Sequence, residues 1–313
     1  MQIIDTILAS PFFNNRPPVL IDIGASGEIN AKWKAIAPYA VCIAFDADDR
    51  EFNVTESQAA GYKKLITINR IVTAHETAMA DFYLTASPFC SSLLSPENDK
   101  LSPWSFHSLF EVEKKLQLPA TTISQALQQA GVDYIDWFKT DTQGTDLRLF
   151  TSLPDSLRNH LLAAEFEPGI IDAYQGEDKL FVLMKEVQQA GFWLSAMEVK
   201  GTQRLNEKYL KQFGNFAGNR MIRKSPCWAE VTYLHNPVFT DQRSLLLLYV
   251  FALLERQYGF ALEICDMADQ KFNDAIFITC RQAIFKQLKK EKLKVPLVML
   301  KKQFNKLFAR INA

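Results

Sequence analysis

The chain contains no Cys-x-x-Cys pair. Its five cysteines, Cys42, Cys90, Cys227, Cys265 and Cys280, are scattered and odd in number. That excludes a disulfide framework and a zinc ribbon, and predicts reduced thiols in a cytosolic protein. Histidine is equally sparse: His75, His107, His160 and His235 show no metal-ligand spacing, so no metal is expected and each reads as a surface or loop residue. No apolar run is long enough to span a bilayer. The longest, 245–254, is about half the length needed and fits a buried helix. No Lys or Arg precedes Arg16, and the first residues mix apolar with polar, so the start does not read as a signal peptide. The expected location is cytoplasmic.

Overall charge is missing too, because 35 basic and 35 acidic residues cancel. The cancellation hides an asymmetry: from Arg281 to Ala313 ten basic residues face one acid, Glu291. Such a segment points to a partner of its own. Leu297, Leu300, Phe304, Leu307, Phe308 and Ile311 recur there at helical spacing among lysines, which suits a helix on an anionic membrane surface at the inner face. A terminal helix docked on the acidic remainder fits equally. Nucleic-acid binding is disfavoured, because no recognition motif accompanies the charge.

Hydrophobic residues make up 48% of the chain and charged residues 22%, which supplies a sizeable core and argues against disorder. Short apolar runs at 19–23, 41–45 and 65–68 suit strands buried on both faces of a parallel sheet. The runs at 135–140, 161–166, 192–198 and 230–234 continue the series to about seven. Between them, 30–37 and 49–60 have helical spacing and length. Thr121 or Thr122 caps a helix with Ile123, Ala126, Leu127 and Ala130 on one face, stopped by Gly131. A second helix carries Leu180, Leu183, Met184, Val187 and Ala190, with Gly191 as its stop. This alternation predicts an α/β doubly wound sheet over 1–238. The segment 85–103, rich in Ser and Pro, reads as an exposed loop or lid. Residues 239–313 read as a helical, basic extension.

In such a sheet, ligands bind beyond the carboxyl ends of the strands where the strand order reverses. The first strand leads directly into Gly24-Ala25-Ser26-Gly27, small residues that let a ligand approach the backbone. The second ends at Asp46, 22 residues after Gly24, a spacing that suits a carboxylate on ribose hydroxyls. A dinucleotide fingerprint needs Gly-x-Gly-x-x-Gly, but Ser26 and Ile29 break it. Asp22, just before the turn, fits a cofactor with a cationic amino acid group, which favours S-adenosylmethionine. Asp141 ends a central strand within Phe138-Lys139-Thr140-Asp141-Thr142-Gln143-Gly144. Glu165 and Glu167 sit at the end of the next strand, so acids from neighbouring tips face one crevice and suit either a general base or ligands for a hard metal ion. Asp141 as a helix cap is the plainer reading of the same residue.

Three segments resemble the FkbM-type methyltransferases. Residues Val19 to Ala25 look like that family's cofactor loop. The stretch from Thr121 to Leu127 and on through Asp136 to Gly144 is similar to its central helix–strand–acid block. Ala164 to Glu167, with Tyr174, Gly176-Glu177 and Gly191-Phe192, resembles its later part, and Ser91-Ser92-Leu93 its loop serine pair. The likeness spans roughly residues 17–235. It implies a Rossmann-like class I methyltransferase sheet and an O-methyltransferase acting on a hydroxyl of a sugar, glycan or natural product. The family usually has Asn where this chain has Ser26 and Glu where it has Asp46. It also has Glu where Asp146 stands.

The expected cofactor contacts are Asp22, Gly24, Ala25, Ser26, Gly27 and Asp46. Asp141 or Glu165 is the expected base, with Lys139 stabilising a developing alkoxide. Ser91, Ser92, His107 and Tyr174 are the expected acceptor contacts, and Trp104, Phe106 and Phe110 either stack on a sugar or pack in the core. Two other classes compete. An NAD-dependent sugar-modifying oxidoreductase is disfavoured by the broken glycine pattern. A methyltransferase-like binding module in glycan assembly would have lost turnover, against which the intact Asp22, Gly24, Asp46 and Asp141 argue.

Overall fold

The structure is a computed structural model that describes residues 2–24, 29–45, 61–214, 220–239 and 241–292. The expected helix at 49–60, the loop residues Ala25, Ser26 and Gly27, Asp46, and the expected basic helix from Leu297 lie outside the described residues. Among the described residues ten strands form: β1 (Val19–Ile23), β2 (Val41–Phe45), β3 (Lys64–Ile68), β4 (Ile71–Val72), β5 (Met79–Thr85), β6 (Val112–Thr121), β7 (Trp137–Thr140), β8 (Ala163–Phe166), β9 (Phe192–Thr202) and β10 (Ser225–His235). Seven of them make one sheet in the order β3-β2-β1-β7-β8-β10-β9. The pairings from β3 across to β8 are parallel, and β10 runs antiparallel to both neighbours. These seven are the strands that the apolar runs predict.

The mainly parallel sheet needs cover on both faces, and it has it. On one face Ile21, Ile43, Phe138 and Phe166 pack with Ile123, Leu127, Leu183 and Val187 of two helices. The first of these helices, Ile123–Ala130, begins in a capping box. Thr122 Oγ1 accepts from Gln125 N, and Gln125 Oε1 accepts from Thr122 N. Gly131, in the left-handed region at φ 73°, ends it. On the other face Leu20, Ala44 and Trp137 pack under the helix Gln242–Leu254. That helix buries every residue from Leu245 to Ala252, and Trp137 meets Phe251 edge-on at 4.8 Å between ring centres. The long apolar run is therefore a buried helix, as its length predicts. It is built into the core of the sheet.

A buried ion pair fixes it there. Arg243 donates to Asp136 Oδ1 at 2.9 Å and to Oδ2 at 2.8 Å, and also to the Arg16 and Pro17 carbonyls. Asp136 Oδ2 in turn accepts from Val19 N at 2.9 Å. One carboxylate thus ties the start of β1, the approach to β7 and the late helix together. Residues 258–272 and 275–292 are also helical. Phe277, Cys280 and Ile284 join the same core, and Arg281 pairs with Asp266 at 2.7 Å. The described start of the basic segment is therefore docked.

Three expectations are corrected. The segment 85–103 is not an exposed lid, because Thr85, Cys90, Ser91, Ser92 and Leu101 are buried. Its serines satisfy the backbone: Ser91 Oγ accepts from Thr85 N at 3.2 Å, and Ser92 Oγ donates to the Gln143 carbonyl at 2.8 Å. The segment closes a hairpin, β5 against β6, which with β4 forms a second sheet that the apolar runs do not announce. Residues 30–37 form two short 3-10 turns, Ala31–Ala35 and Ala37–Tyr39, in place of an α-helix. Pro38 sits inside the second turn and disfavours α geometry in the residue before it. Finally, His235 is buried, its Nδ1 2.7 Å from the Asn236 carbonyl and its ring edge-on to Phe192. Burial lowers its pKa, so this histidine packs as a neutral ring.

Candidate functional site

The strand order reverses between β1, whose next neighbour leads outward to β2, and β7. At their carboxyl ends the two chains touch. Gly24 has φ +81°, a conformation costly for any side chain. Its N–H donates to the Phe45 carbonyl at 3.0 Å, and Asp141 N donates to the Ile23 carbonyl at 2.9 Å. Beyond these tips opens a cavity of about 610 Å³, with Ile23, Gly24, Phe45, Asp141 and Glu167 on its floor. A smaller, polar cavity of about 310 Å³ shares Asp141 and Glu167 and adds Asn30, Lys139, Glu165 and Glu230.

Asp22 belongs to neither lining. It is fully buried; its Oδ1 lies 2.6 Å from Lys139 Nζ and its Oδ2 accepts from Asn30 N at 3.1 Å. The carboxylate expected to meet a cationic ligand instead fixes the strand tips and the chain at Asn30. Lys139 is corrected in the same way. Burial alone would depress its ammonium, but Asp22 and Asp141 beside it more than reverse that and raise its pKa. It stays charged and committed to Asp22.

Glu165 is held as well. Its Oε2 lies 3.1 Å from Lys32 Nζ and both oxygens accept from Asn30 Nδ2. Lys32 also reaches Thr232 Oγ1 and Glu255 Oε1, each at 3.1 Å. Burial raises the Glu165 pKa while Lys32 and Lys139 oppose the rise. Lys32 and Asn30 stabilise the charged form of Glu165 and so weaken it as a general base.

Asp141 and Glu167 form a pair of a different kind. Asp141 is wholly buried, and burial raises its pKa against the pull of Lys139 and of Gln143, whose Nε2 donates to Oδ1 at 2.7 Å. Glu167 hydrogen-bonds Asp141; burial, then the charge of Asp141, push its pKa up to about 9. Glu167 therefore keeps its proton at neutral pH and can share it with Asp141 at the cavity floor. Asp146 lies behind them, lifted to about 7 by burial and by Asp141, with Oδ1 accepting from Thr142 N and Oγ1. It shapes the turn after β7. Asp141 thus stands where the sequence places it, and Glu167, noted only beside Glu165, is its partner. The strand ends bring both glutamates near Asp141, and the fold decides that Glu167 is the one that meets it.

Of the expected acceptor contacts, Ser91 and Tyr174 line the larger cavity. Tyr174 OH donates to the Cys90 carbonyl at 2.8 Å and lies 3.2 Å from Gln143 Oε1. Ser92 is not in the lining; it holds the 142–143 turn from behind. His107 is not brought to the cavity either. It starts a 3-10 turn whose apolar members Leu109 and Phe110 take the cavity side. Phe106 and Phe110 line the wall, and Trp104 packs behind against Phe106. Sequence reasoning missed Phe82, Phe89 and Trp228, which come from the unannounced hairpin and from β10.

Among the described residues no group of three or more His, Cys, Asp or Glu is placed to hold a metal ion. Among them, too, no helix is long and apolar enough to cross a membrane. No family model matches the chain, and no curated protein matches its sequence.

Proposed function

We propose that this chain is an S-adenosylmethionine-dependent O-methyltransferase of the FkbM type, acting on a hydroxyl. The observation that carries the reading is the Asp141–Glu167 pair on the floor of a cavity at the reversal point, against the glycine turn of β1. The seven-stranded order, with its last-formed strand inserted antiparallel, is the arrangement that the resemblance implies.

The residues present fit the cofactor. Phe45, Ile71 and Val72 form an apolar wall beside Gly24, suited to a purine ring. The floor offers carboxylates, which favour a cationic ligand over a pyrophosphate. Asp46 supplies the ribose contact in this reading, and Ala25, Ser26 and Gly27 the close backbone approach. When bound, the cofactor supplies an electrophilic methyl group on a sulfonium. Asp141 accepts the proton of the acceptor hydroxyl, and Glu167 donates a hydrogen bond that holds Asp141 in place. Lys139 and Asp22 fix the tips so that the base does not drift, since positioning is worth several kcal/mol of a barrier.

Calorimetry with S-adenosylmethionine and with NAD tests the cofactor. Binding of the former alone supports the reading, and binding of NAD alone overturns it. Asp141→Asn should leave cofactor binding nearly intact and abolish turnover; retained turnover removes Asp141 from the base role.

A further inference from the structure

One part of the larger cavity's wall is built of aromatic rings. Phe106 lies 5.0 Å from Phe110 and 6.3 Å from Trp228 between centroids, and Phe110 lies 5.6 Å from Tyr174, all tilted or edge-on. Phe82 and Phe89 add to the wall, and Phe89 stands 61% exposed. Aromatic faces arranged this way favour a flat ring laid against them.

The polar side chains of the wall are turned to one another. Gln143 joins Asp141 and Tyr174; Tyr174 reaches the Cys90 carbonyl. Thr202 Oγ1 lies 2.6 Å from Ser105 Oγ, and Thr142 Oγ1 donates to Asp146. Glu177 accepts from Ala173 N and from Lys179. Among the described lining residues, what stays open is the acid pair on the floor, the exposed Arg70 guanidinium and the indole N–H of Trp228. A sugar brings several hydroxyls, and each one buried without a partner costs about 1–3 kcal/mol. A ring with one hydroxyl brings a single such group, and the acid pair can receive it.

We propose that this wall binds an aryl alcohol, with the ring against Phe106 and Trp228 and the hydroxyl at Asp141. As the identity of the methyl acceptor, the assignment rests on the methyltransferase reading; as a binding site, it stands apart from it.

The test is calorimetry on the full chain with no methyl donor, using 2-naphthol and methyl glucoside as probes. 2-Naphthol should bind once per chain and the glucoside should not. Phe106→Leu and Trp228→Leu keep an apolar side chain and remove the ring, and each should weaken 2-naphthol about tenfold with little change in thermal melting. Failure of 2-naphthol to bind overturns the proposal, as does binding that is indifferent to both replacements or a preference for the glucoside. S-adenosylmethionine is titrated in parallel. If it fails to bind while 2-naphthol binds as described, the methyl-transfer reading falls and the aryl site stands.

Discussion

Gly24 and Asp141 meet backbone to backbone: a Cβ on residue 24 would lie 2.0 Å from the Asp141 carbonyl oxygen. The two strand tips that frame the cavity are thus in contact, and only glycine allows it. Because φ at Gly24 is also +81°, Gly24→Ala faces both a clash and a strained backbone. We expect a loss of at least about 2 kcal/mol in urea unfolding, together with loss of ligand binding at the crevice. An alanine variant as stable as the parent would remove this packing role.

The clamping of Glu165 by Lys32 and Asn30 separates the two acids named as bases. Glu165→Gln should lower kcat/KM by no more than roughly tenfold, whereas Asp141→Asn should lower it by roughly 10²–10⁴. Equal losses in steady-state kinetics would return Glu165 to the chemistry.

Glu167 makes stability depend on pH. The unfolded chain releases this proton near 4.5, while the folded protein holds it up to about 9. Between those values the unfolded state binds fewer protons, so stability falls as pH rises. Glu167→Gln keeps a hydrogen bond to Asp141 and has no proton to lose. It should therefore melt several °C above the parent at pH 8 and level with it near pH 4. A gain of the same size at both pH values would show that packing, not protonation, is responsible.

Arg243 is almost enclosed, and its removal leaves Asp136 buried with a charge that Val19 N alone must answer. Arg243→Ala should cost about 3–5 kcal/mol, measured by denaturant unfolding. The double variant with Asp136→Asn should recover part of that loss, because no bare carboxylate remains; no recovery would mean that the pair contributes through shape alone.

The central strands β1 and β2 were legible because burial on both faces leaves a nearly unbroken apolar run, and the Ile123–Ala130 helix because Thr122, Gln125 and Gly131 spell its ends. The β5–β6 hairpin was not. Glu113, Lys114, Lys115 and Gln117 keep most of β6 in solvent, although Leu116 and Leu118 alternate with polar residues and hint at it. The serines at 91 and 92 read as solvent-loving, yet their hydroxyls serve buried backbone groups. Asp141 was found from its place at a strand end. The commitments of Lys139 to Asp22 and of Glu165 to Lys32 were not, because each joins residues more than 100 positions apart.

The helix Gln242–Leu254 covers a strand made roughly 220 residues earlier. During synthesis at about 5–20 residues per second, one face of β1 and β2 therefore waits on the order of 10–40 s for its cover, and that of β7 about half as long. Until then the nascent chain presents Leu20, Ala44 and Trp137 to whatever surrounds the ribosome. The order of manufacture makes the fold dependent on protection of that face, by a chaperone or by provisional collapse.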